Sequence, residues 1–290
     1  MNRLVMKFNK LLFGPAGFGG NDNIDIPSNS KNPTADAIPA IKKIGLDTME
    51  IEFVRQVYLK SSSPDKLAEI KANSEKFDFP LSIHAPYFIN LNAQEEQKLQ
   101  NSYRYILDSL NVGQKIGARV VVFHIGFFMK EDPKLVLPKI EKELHYLQDK
   151  FKGDIFLGTE LVGKKTQIGS LDEIFNLYDK LDKKFILPVI DFAHLHAREN
   201  GYFKKQSNLD KTFEFLKSYP EVVSQMHIHM SGINYTEKGE RNHLLLDESD
   251  FPYKKILEGL KDIKAKGTVI CESPAPVADA LLLKKVYEKL

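Results

Sequence analysis

The sequence predicts an α/β protein, specifically a TIM (β/α)8 barrel that forms a single domain over residues 1–290. Eight short apolar segments alternate with eight segments of helical periodicity. This alternation favours a parallel sheet with helical crossovers, and eight repeats in 290 residues favour closure into a barrel. No linker or low-complexity tract divides the chain. An open, doubly wound sheet remains the structural alternative.

The predicted elements follow one another in a regular order. The strands are expected at 11–17, 48–53, 81–86, 119–126, 155–161, 186–193, 224–232 and 268–273. The helices are expected at 34–44, 64–77, 95–116, 134–151, 170–181, 209–218, 253–264 and 277–290. Pro64 marks a first helical turn, and Ser170 with Glu173 has the spacing of a capping box. Gly45 and Gly117 are placed to end helices.

Composition and charge exclude several classes of protein. The chain is 42% hydrophobic and 28% charged, which is typical of a folded globular protein rather than a disordered one. Its formal charge of +2 is too small to indicate a nucleic-acid partner by itself. The single cysteine, Cys271, lies in a predicted strand and fits a reducing compartment. Residues 1–12 lack a signal-peptide core, and no apolar segment reaches the roughly 18 residues that span a bilayer. We therefore expect a cytoplasmic protein.

Metal-ligand residue types recur where the predicted strands end, which is where barrel enzymes place their sites. In chain order these residues are His84, His124, Glu160, Asp191, His194, His229 and Glu272. One histidine at a strand end is more often a core or rim residue, but these residues occupy six successive strands. Imidazole and carboxylate without thiolate suit zinc, manganese or iron. Burying three carboxylates together would also be costly without cations.

The remaining histidines have other predicted roles. His227 and His229 share one face of the seventh strand, and we expect His229, which is nearer the barrel mouth, to be the ligand. His227 is then a core residue or a support for that ligand. We expect His194 to turn toward the mouth as the strand runs into a loop, whereas His196 would support a ligand or lie at the surface. His145 is predicted on an exposed helix face.

Five separate motifs at these strand ends resemble the successive signatures of the endonuclease IV family. They are Ile83-His84-Ala85-Pro86-Tyr87-Phe88-Ile89-Asn90-Leu91, Val122-Phe123-His124-Ile125-Gly126, Val189-Ile190-Asp191-Phe192-Ala193-His194, His229-Met230-Ser231-Gly232 and Cys271-Glu272-Ser273. The motifs occur in the family's order, and the resemblance runs from the third predicted strand to the last.

The resemblance implies a TIM barrel that holds three zinc ions. His84, His124 and Glu160 would hold the first ion; Glu160, as a bridge, would hold the second with Asp191, His229 and Glu272; and His194 would begin the third site. The family's usual Asp-x-His after the seventh strand is replaced here by Gly239-Glu240-Arg241-Asn242-His243. Glu240 and His243 are the candidates there, but they are one residue too far apart. The sequence therefore predicts two or three zinc ions.

The activity that the resemblance implies is zinc-dependent cleavage of DNA at abasic sites during base excision repair. Hydrolysis 5′ to the abasic sugar would leave a 3′-hydroxyl and a 5′-deoxyribose phosphate, with Glu160, Asp191 and Glu272 as catalytic carboxylates. Tyr87, Phe88 and Arg55 would contact double-stranded DNA, although Tyr87 and Phe88 could equally pack beneath their loop. We expect the protein to be a monomer, because one barrel is enough to act on one duplex.

Two other interpretations remain. A sugar isomerase or epimerase of the xylose-isomerase-like superfamily shares the barrel, and the residues Glu160, Asp191, His229 and Glu272 satisfy its single metal site. Its chemistry does not require the additional histidines. A non-catalytic binding protein on a decayed barrel would lack several of these ligands, and the sequence retains nearly all of them.

Overall fold

Eight parallel strands form the central sheet of the computed structural model, which describes residues 8–18 and 24–290. The barrel strands are β1 (Leu11–Pro15), β2 (Met49–Glu52), β3 (Leu81–His84), β4 (Val120–Phe123), β5 (Phe156–Glu160), β6 (Ile186–Asp191), β7 (Met226–Met230) and β8 (Gly267–Cys271). Their order around the sheet is β1-β8-β7-β6-β5-β4-β3-β2. The predicted TIM (β/α)8 barrel is confirmed.

The barrel closes between β1 and β2 through fewer hydrogen bonds than join its other strands. A bridge pairs Ala16 with Glu50, and the amide of Gly17 donates to the Glu50 carbonyl at 2.8 Å. Gly14 allows this close approach, because a β-carbon there would lie 1.8 Å from the carbonyl oxygen of Thr48. The barrel is therefore nearly closed, and β2 needs other contacts to hold it in place.

Helices cover the outside of the barrel. They are α1 (Pro33–Lys43), α2 (Pro64–Lys76), α3 (Glu96–Ile116), α4 (Pro133–Lys150), α5 (Leu171–Lys180), α6 (Phe192–Arg198), α7 (Gln206–Lys217), α8 (Pro220–Val223), α9 (Tyr253–Asp262) and α10 (Pro276–Lys289). The predicted capping box forms at the start of α5 between Ser170 and Glu173. Gly117 ends α3 in the left-handed conformation, with φ of 75°.

Two apolar cores lie on opposite faces of the strands. The larger one fills the space between the strands and the helices. A smaller one lies inside the barrel and consists of Val120, Val122, Leu187 and Val189, with Phe156 packed against it. Because residues two apart on a strand share a face, the inward faces that begin with these residues end at His124, Glu160 and Asp191. The fold thus directs the predicted ligands into the barrel mouth.

Two short antiparallel hairpins extend the barrel at its loops. One joins Gly126–Phe127 to Gln167–Ile168, and the other joins Gly232–Thr236 to Gly239–Leu244. Within the described residues, no helix is long and apolar enough to cross a membrane. The expectation that residues 1–12 are not a signal peptide falls largely on residues 1–7, which lie outside the described residues.

Candidate metal centre

The predicted ligands converge at the carboxyl ends of the strands. His84 and Glu160 end their strands, and His124 and Glu272 each lie one residue beyond theirs. Most of these side chains are buried, although His124 retains 20% of its side-chain exposure. Carboxylates and imidazoles therefore face one another with little exposure to solvent.

The first group consists of His84, His124 and Glu160. The Glu160 Oε2 atom lies 3.1 Å from His84 Nε2 and 3.0 Å from His124 Nε2. His84 Nδ1 lies 2.8 Å from the Ala85 carbonyl oxygen. Because a carbonyl oxygen can only accept a hydrogen bond, Nδ1 is the nitrogen that carries the proton in the neutral ring. The lone pair of Nε2 then faces the carboxylate oxygen. Such an arrangement needs either a second proton or a cation between the two atoms.

The second group consists of Glu160, Asp191, His229 and Glu272. One ligand atom from each lies within 4.8 Å of the others. His229 Nδ1 is 3.1 Å from Glu160 Oε1 and 3.3 Å from Glu272 Oε1. Asp191 Oδ2 is buried without a hydrogen-bond partner among the described residues. Three carboxylates around one imidazole form a donor set with the charge and atom types that divalent zinc or manganese takes.

His194 lies on a helix rather than on the predicted loop. Asp191 caps helix α6, because its Oδ1 atom accepts a hydrogen bond from the His194 amide at 2.6 Å. One turn of helix then directs the His194 ring back over the mouth. Its Nδ1 atom lies 2.9 Å from the Leu161 carbonyl oxygen, to which it donates, and this leaves Nε2 pointing toward the second hairpin.

A β-bulge in the hairpin of Gly232–Thr236 and Gly239–Leu244 brings the two candidate residues of the third predicted site to the same face of the strand. Residues three apart on a regular strand face opposite sides, which is why Glu240 and His243 looked too far apart in the sequence. The pairing shifts here, since Asn234 pairs with Asn242 but Tyr235 pairs with Glu240. Arg241 is the extra residue, and it returns Glu240 and His243 to one face. Bulges commonly redirect side chains in this way beside functional sites.

The third group therefore consists of His194, Glu240 and His243. The two imidazole Nε2 atoms are 3.4 Å apart, and Glu240 Oε2 is 3.5 Å from His194 Nε2. His243 Nδ1 donates to the Glu272 carbonyl at 2.8 Å, so both rings present unprotonated Nε2 atoms to each other when neutral. Two nitrogens bound to one tetrahedral zinc ion at about 2.0–2.1 Å are about 3.4 Å apart. The three groups thus fit metal ions.

Two glutamates of β2, Glu50 and Glu52, join the centre without having been predicted from the sequence. Glu50 is fully buried, with its two carboxylate oxygens 2.9 Å from His227 Nε2 and from His229 Nε2. Glu52 lies at the mouth, within reach of Glu50 and Glu272. The alternation in Met49-Glu50-Ile51-Glu52 was the available signal, because one face of every barrel strand must point inward.

Burial and neighbouring charges shift the pKa values of these groups in opposite directions. Burial raises the pKa of Glu52 to about 8 and that of Asp191 to about 7. Burial opposes the charged form of His84, but the hydrogen bond and charge of Glu160, together with the charge of Glu52, raise the pKa of His84 to about 10. The protein alone thus draws protons into the cavity to balance its carboxylates, and divalent cations would provide the same balance.

The predicted DNA-contacting residues lie on loops that follow β2 and β3. Arg55 is exposed, as are Phe88, with 63% of its surface accessible, and Tyr87, with 46%. The Tyr87 ring packs 5.2 Å from the His84 ring and 5.8 Å from the His124 ring, measured between centroids. Tyr87 therefore covers one edge of the first ligand group, whereas Phe88 projects into solvent.

The other histidines lie where they have no metal-facing nitrogen. His227 is buried beneath His229, in agreement with a core or supporting position. His196 is also fully buried, so a surface location for it is wrong; it accepts from the Phe203 amide and lies 3.2 Å from Asp250 Oδ1. His145 is exposed on α4, as expected.

Comparisons with known sequences give both a family and named relatives. An uncharacterized protein of Methanocaldococcus jannaschii is 38% identical over 295 residues, covering 100% of both chains. A probable endonuclease 4 of Mycoplasmoides gallisepticum is 28% identical over 155 residues, which is 52% of this chain and 49% of that relative. The similarity to the probable endonuclease thus spans about half of each protein.

Solved structures of several activities share the fold. Endonuclease IV from Thermus thermophilus superposes with a TM-score of 0.67 at 20% identity, covering 90% of this chain and 96% of that one. A zinc-binding IolI protein gives 0.65 at 18% identity, covering 90% and 94%. A D-tagatose 3-epimerase-like protein gives 0.62 at 19% identity, covering 86% and 91%. At these identities the likeness is one of fold.

The family model described as xylose isomerase-like TIM barrel matches residues 38–288, which include seven of the eight barrel strands and every predicted ligand. The chain belongs to the xylose isomerase-like TIM barrel family.

Proposed function

We propose that this protein is a zinc-dependent DNA phosphodiesterase of the endonuclease IV type. Its substrate would be double-stranded DNA that contains an abasic site, and it would hydrolyse the phosphodiester 5′ to that site. The products would be a 3′-hydroxyl and a 5′-deoxyribose phosphate. The protein would act as a monomer in base excision repair.

The observation that supports this proposal is the presence of three adjoining ligand groups rather than one. A single-metal sugar enzyme requires only the group of Glu160, Asp191, His229 and Glu272. Here His84 and His124 flank that group on one side, and His194 with His243 flanks it on the other. Several adjacent cations suit a phosphodiester, whose charge increases on its oxygens as it reacts.

The protein's own residues would divide the remaining work. Glu160 presents Oε2 to the first group and Oε1 to the second, so it would hold two ions at a fixed separation. Bound zinc ions would supply activated water and neutralise phosphate charge. Asp191 and Glu272 would complete the second group. Phe88 and Tyr87 would fill the space left when the abasic nucleotide leaves the duplex, and Arg55 would contact the backbone.

The first test is incision of a duplex that carries one tetrahydrofuran abasic analogue, which cannot undergo lyase chemistry. The zinc-loaded protein should cut 5′ to the lesion, and chelation should abolish the cut. We expect Glu160→Gln to lower the rate by at least about 100-fold, because it disrupts two ligand groups at once. His145→Ala, which removes an exposed histidine on α4, is the matched control and should retain the full rate.

A second candidate function is an isomerase or epimerase of sugars. The group of Glu160, Asp191, His229 and Glu272 is complete by itself and would serve such an enzyme with one divalent metal. An uncut strand from folded, zinc-loaded protein, combined with interconversion of an aldose and a ketose or of two sugar epimers, would replace the nuclease proposal with this one.

A further inference from the structure

A buried carboxylate on β2 contacts both histidines of β7. Glu50 and His229 have no exposed surface, and His227 exposes only 1% of its surface. Glu50 reaches them from β2, the strand that joins β1 through the Ala16 bridge and few hydrogen bonds. An ionised carboxylate in such a place is costly unless it is paired.

The two oxygens of Glu50 divide between the two rings. Oε2 accepts a hydrogen bond from His227 Nε2 at 2.9 Å, and the Thr268 hydroxyl lies 2.7 Å from His227 Nδ1. Oε1 makes an ion-pair contact of 2.9 Å with His229 Nε2, and neither of these two buried atoms forms a hydrogen bond with any described residue.

These contacts do not fit a further cation among Glu50, His227 and His229. Both nitrogens of His227 already have partners, because Nε2 contacts Glu50 and Nδ1 contacts Thr268. A neutral ring that donates from Nε2 to Glu50 accepts at Nδ1 from Thr268. The contact between Oε2 and His227 Nε2 is a hydrogen bond, and the contact between Oε1 and His229 Nε2 is an ion pair of the same 2.9 Å length.

We propose that Glu50 is a positioning residue for the second ligand group. By attracting the proton of His229 to Nε2, it turns Nδ1 toward Glu160 and Glu272 as an unprotonated ligand atom. Carboxylates commonly hold metal-binding histidines in this way, and their loss typically weakens metal binding by about 10–100-fold. His227 and Thr268 hold Glu50 in place from the other side. This inference rests on the proposed metal centre and does not depend on the DNA substrate.

The experiment compares zinc binding by the full-length protein with that of two variants. Glu50→Gln keeps the size of the side chain but leaves only one acceptor for two ring N–H groups. Asp279→Asn removes another buried carboxylate, one that accepts from the Leu246 amide and lies outside the site, so it controls for the loss of a buried charge. Zinc content and competition with a chromophoric chelator give the number and strength of the sites.

We expect Glu50→Gln to weaken one zinc site by about 10–100-fold while the others keep their affinity, and Asp279→Asn to weaken none. Unchanged affinity in a folded Glu50→Gln protein would overturn the inference while leaving the metal centre intact. Failure of the wild-type protein to bind zinc would overturn both the inference and the proposed function.

A measurement on the wild-type protein keeps the inference testable if Glu50→Gln does not fold. Nitrogen NMR of 15N-histidine-labelled, zinc-loaded protein distinguishes the two ring tautomers. We expect His229 to carry its proton on Nε2. A proton on Nδ1 of His229 would contradict a positioning role for Glu50.

Discussion

The two halves of the barrel interior are filled with different chemistry. Along β4 and β6 the inward side chains are the aliphatic residues Val120, Val122, Leu187 and Val189. Along β7, β8, β2 and β3 they are the buried polar residues His227, Thr268, Glu50 and Ser82. Ligands lie above both halves, but only in the polar half does an inward residue, Glu50, form an ion pair with a ligand, His229.

The aliphatic half contributes packing to the barrel, whereas the polar half holds side chains in position. The aliphatic half stabilises the barrel by burying methyl groups, and another apolar residue of similar volume can serve that purpose. In the polar half, Glu50, His227 and Thr268 form hydrogen bonds with one another, so a change there leaves a buried charge or a buried lone pair without a partner. Mutations in the two halves should therefore differ in the kind of interaction that they remove and in how far they lower the free energy of unfolding.

The largest effect is expected from His227→Leu in the polar half. Leucine removes the donor to Glu50 and the acceptor from Thr268 while keeping most of the volume. Because a buried carboxylate loses one of its two partners, we expect the free energy of unfolding to fall by about 3 kcal/mol. Urea unfolding in the presence of a chelator measures it without a contribution from bound metal.

The control for this measurement is His145→Leu on the exposed face of α4, which should change the free energy of unfolding by less than about 0.5 kcal/mol. A His227→Leu protein that matches the stability of this control would show that the polar half is not a coupled network.

A smaller effect is expected from Val122→Ala in the aliphatic half. Val122 is fully buried, and removing two methyl groups leaves a small cavity that should cost about 2 kcal/mol in urea unfolding. The zinc content should remain that of the wild type, because no hydrogen bond joins Val122 to a ligand. Loss of zinc from this variant would mean that the aliphatic half also determines ligand geometry.

The barrel could be predicted from the sequence because the pattern of each strand and each helix lies within one continuous segment of the chain. It was also sufficient for residues such as His84 and Glu160, since the end of a parallel strand predicts the end of the barrel at which its side chain lies. These inferences need no knowledge of contacts between distant segments.

Three features could not be obtained in this way, for physical reasons. The bulge at Arg241 depends on pairing between two hairpin strands, and the sequence alone gives only the spacing of Glu240 and His243. The α6 turn that carries His194 is too short for helical periodicity to reveal. The alternation in β2 indicates an inward-facing Glu50, but its contacts could not be predicted because His227 and His229 lie more than 170 residues away along the chain.

We propose that three adjoining ligand groups, two of which share Glu160, hold more than one metal ion. The most direct test is anomalous X-ray scattering at the zinc edge from crystals of the zinc-loaded protein. We expect separate peaks between His84 and His124, beside His229 Nδ1, and between His194 and His243. A single peak, confined to Glu160, Asp191, His229 and Glu272, would contradict it and would support a one-metal sugar enzyme.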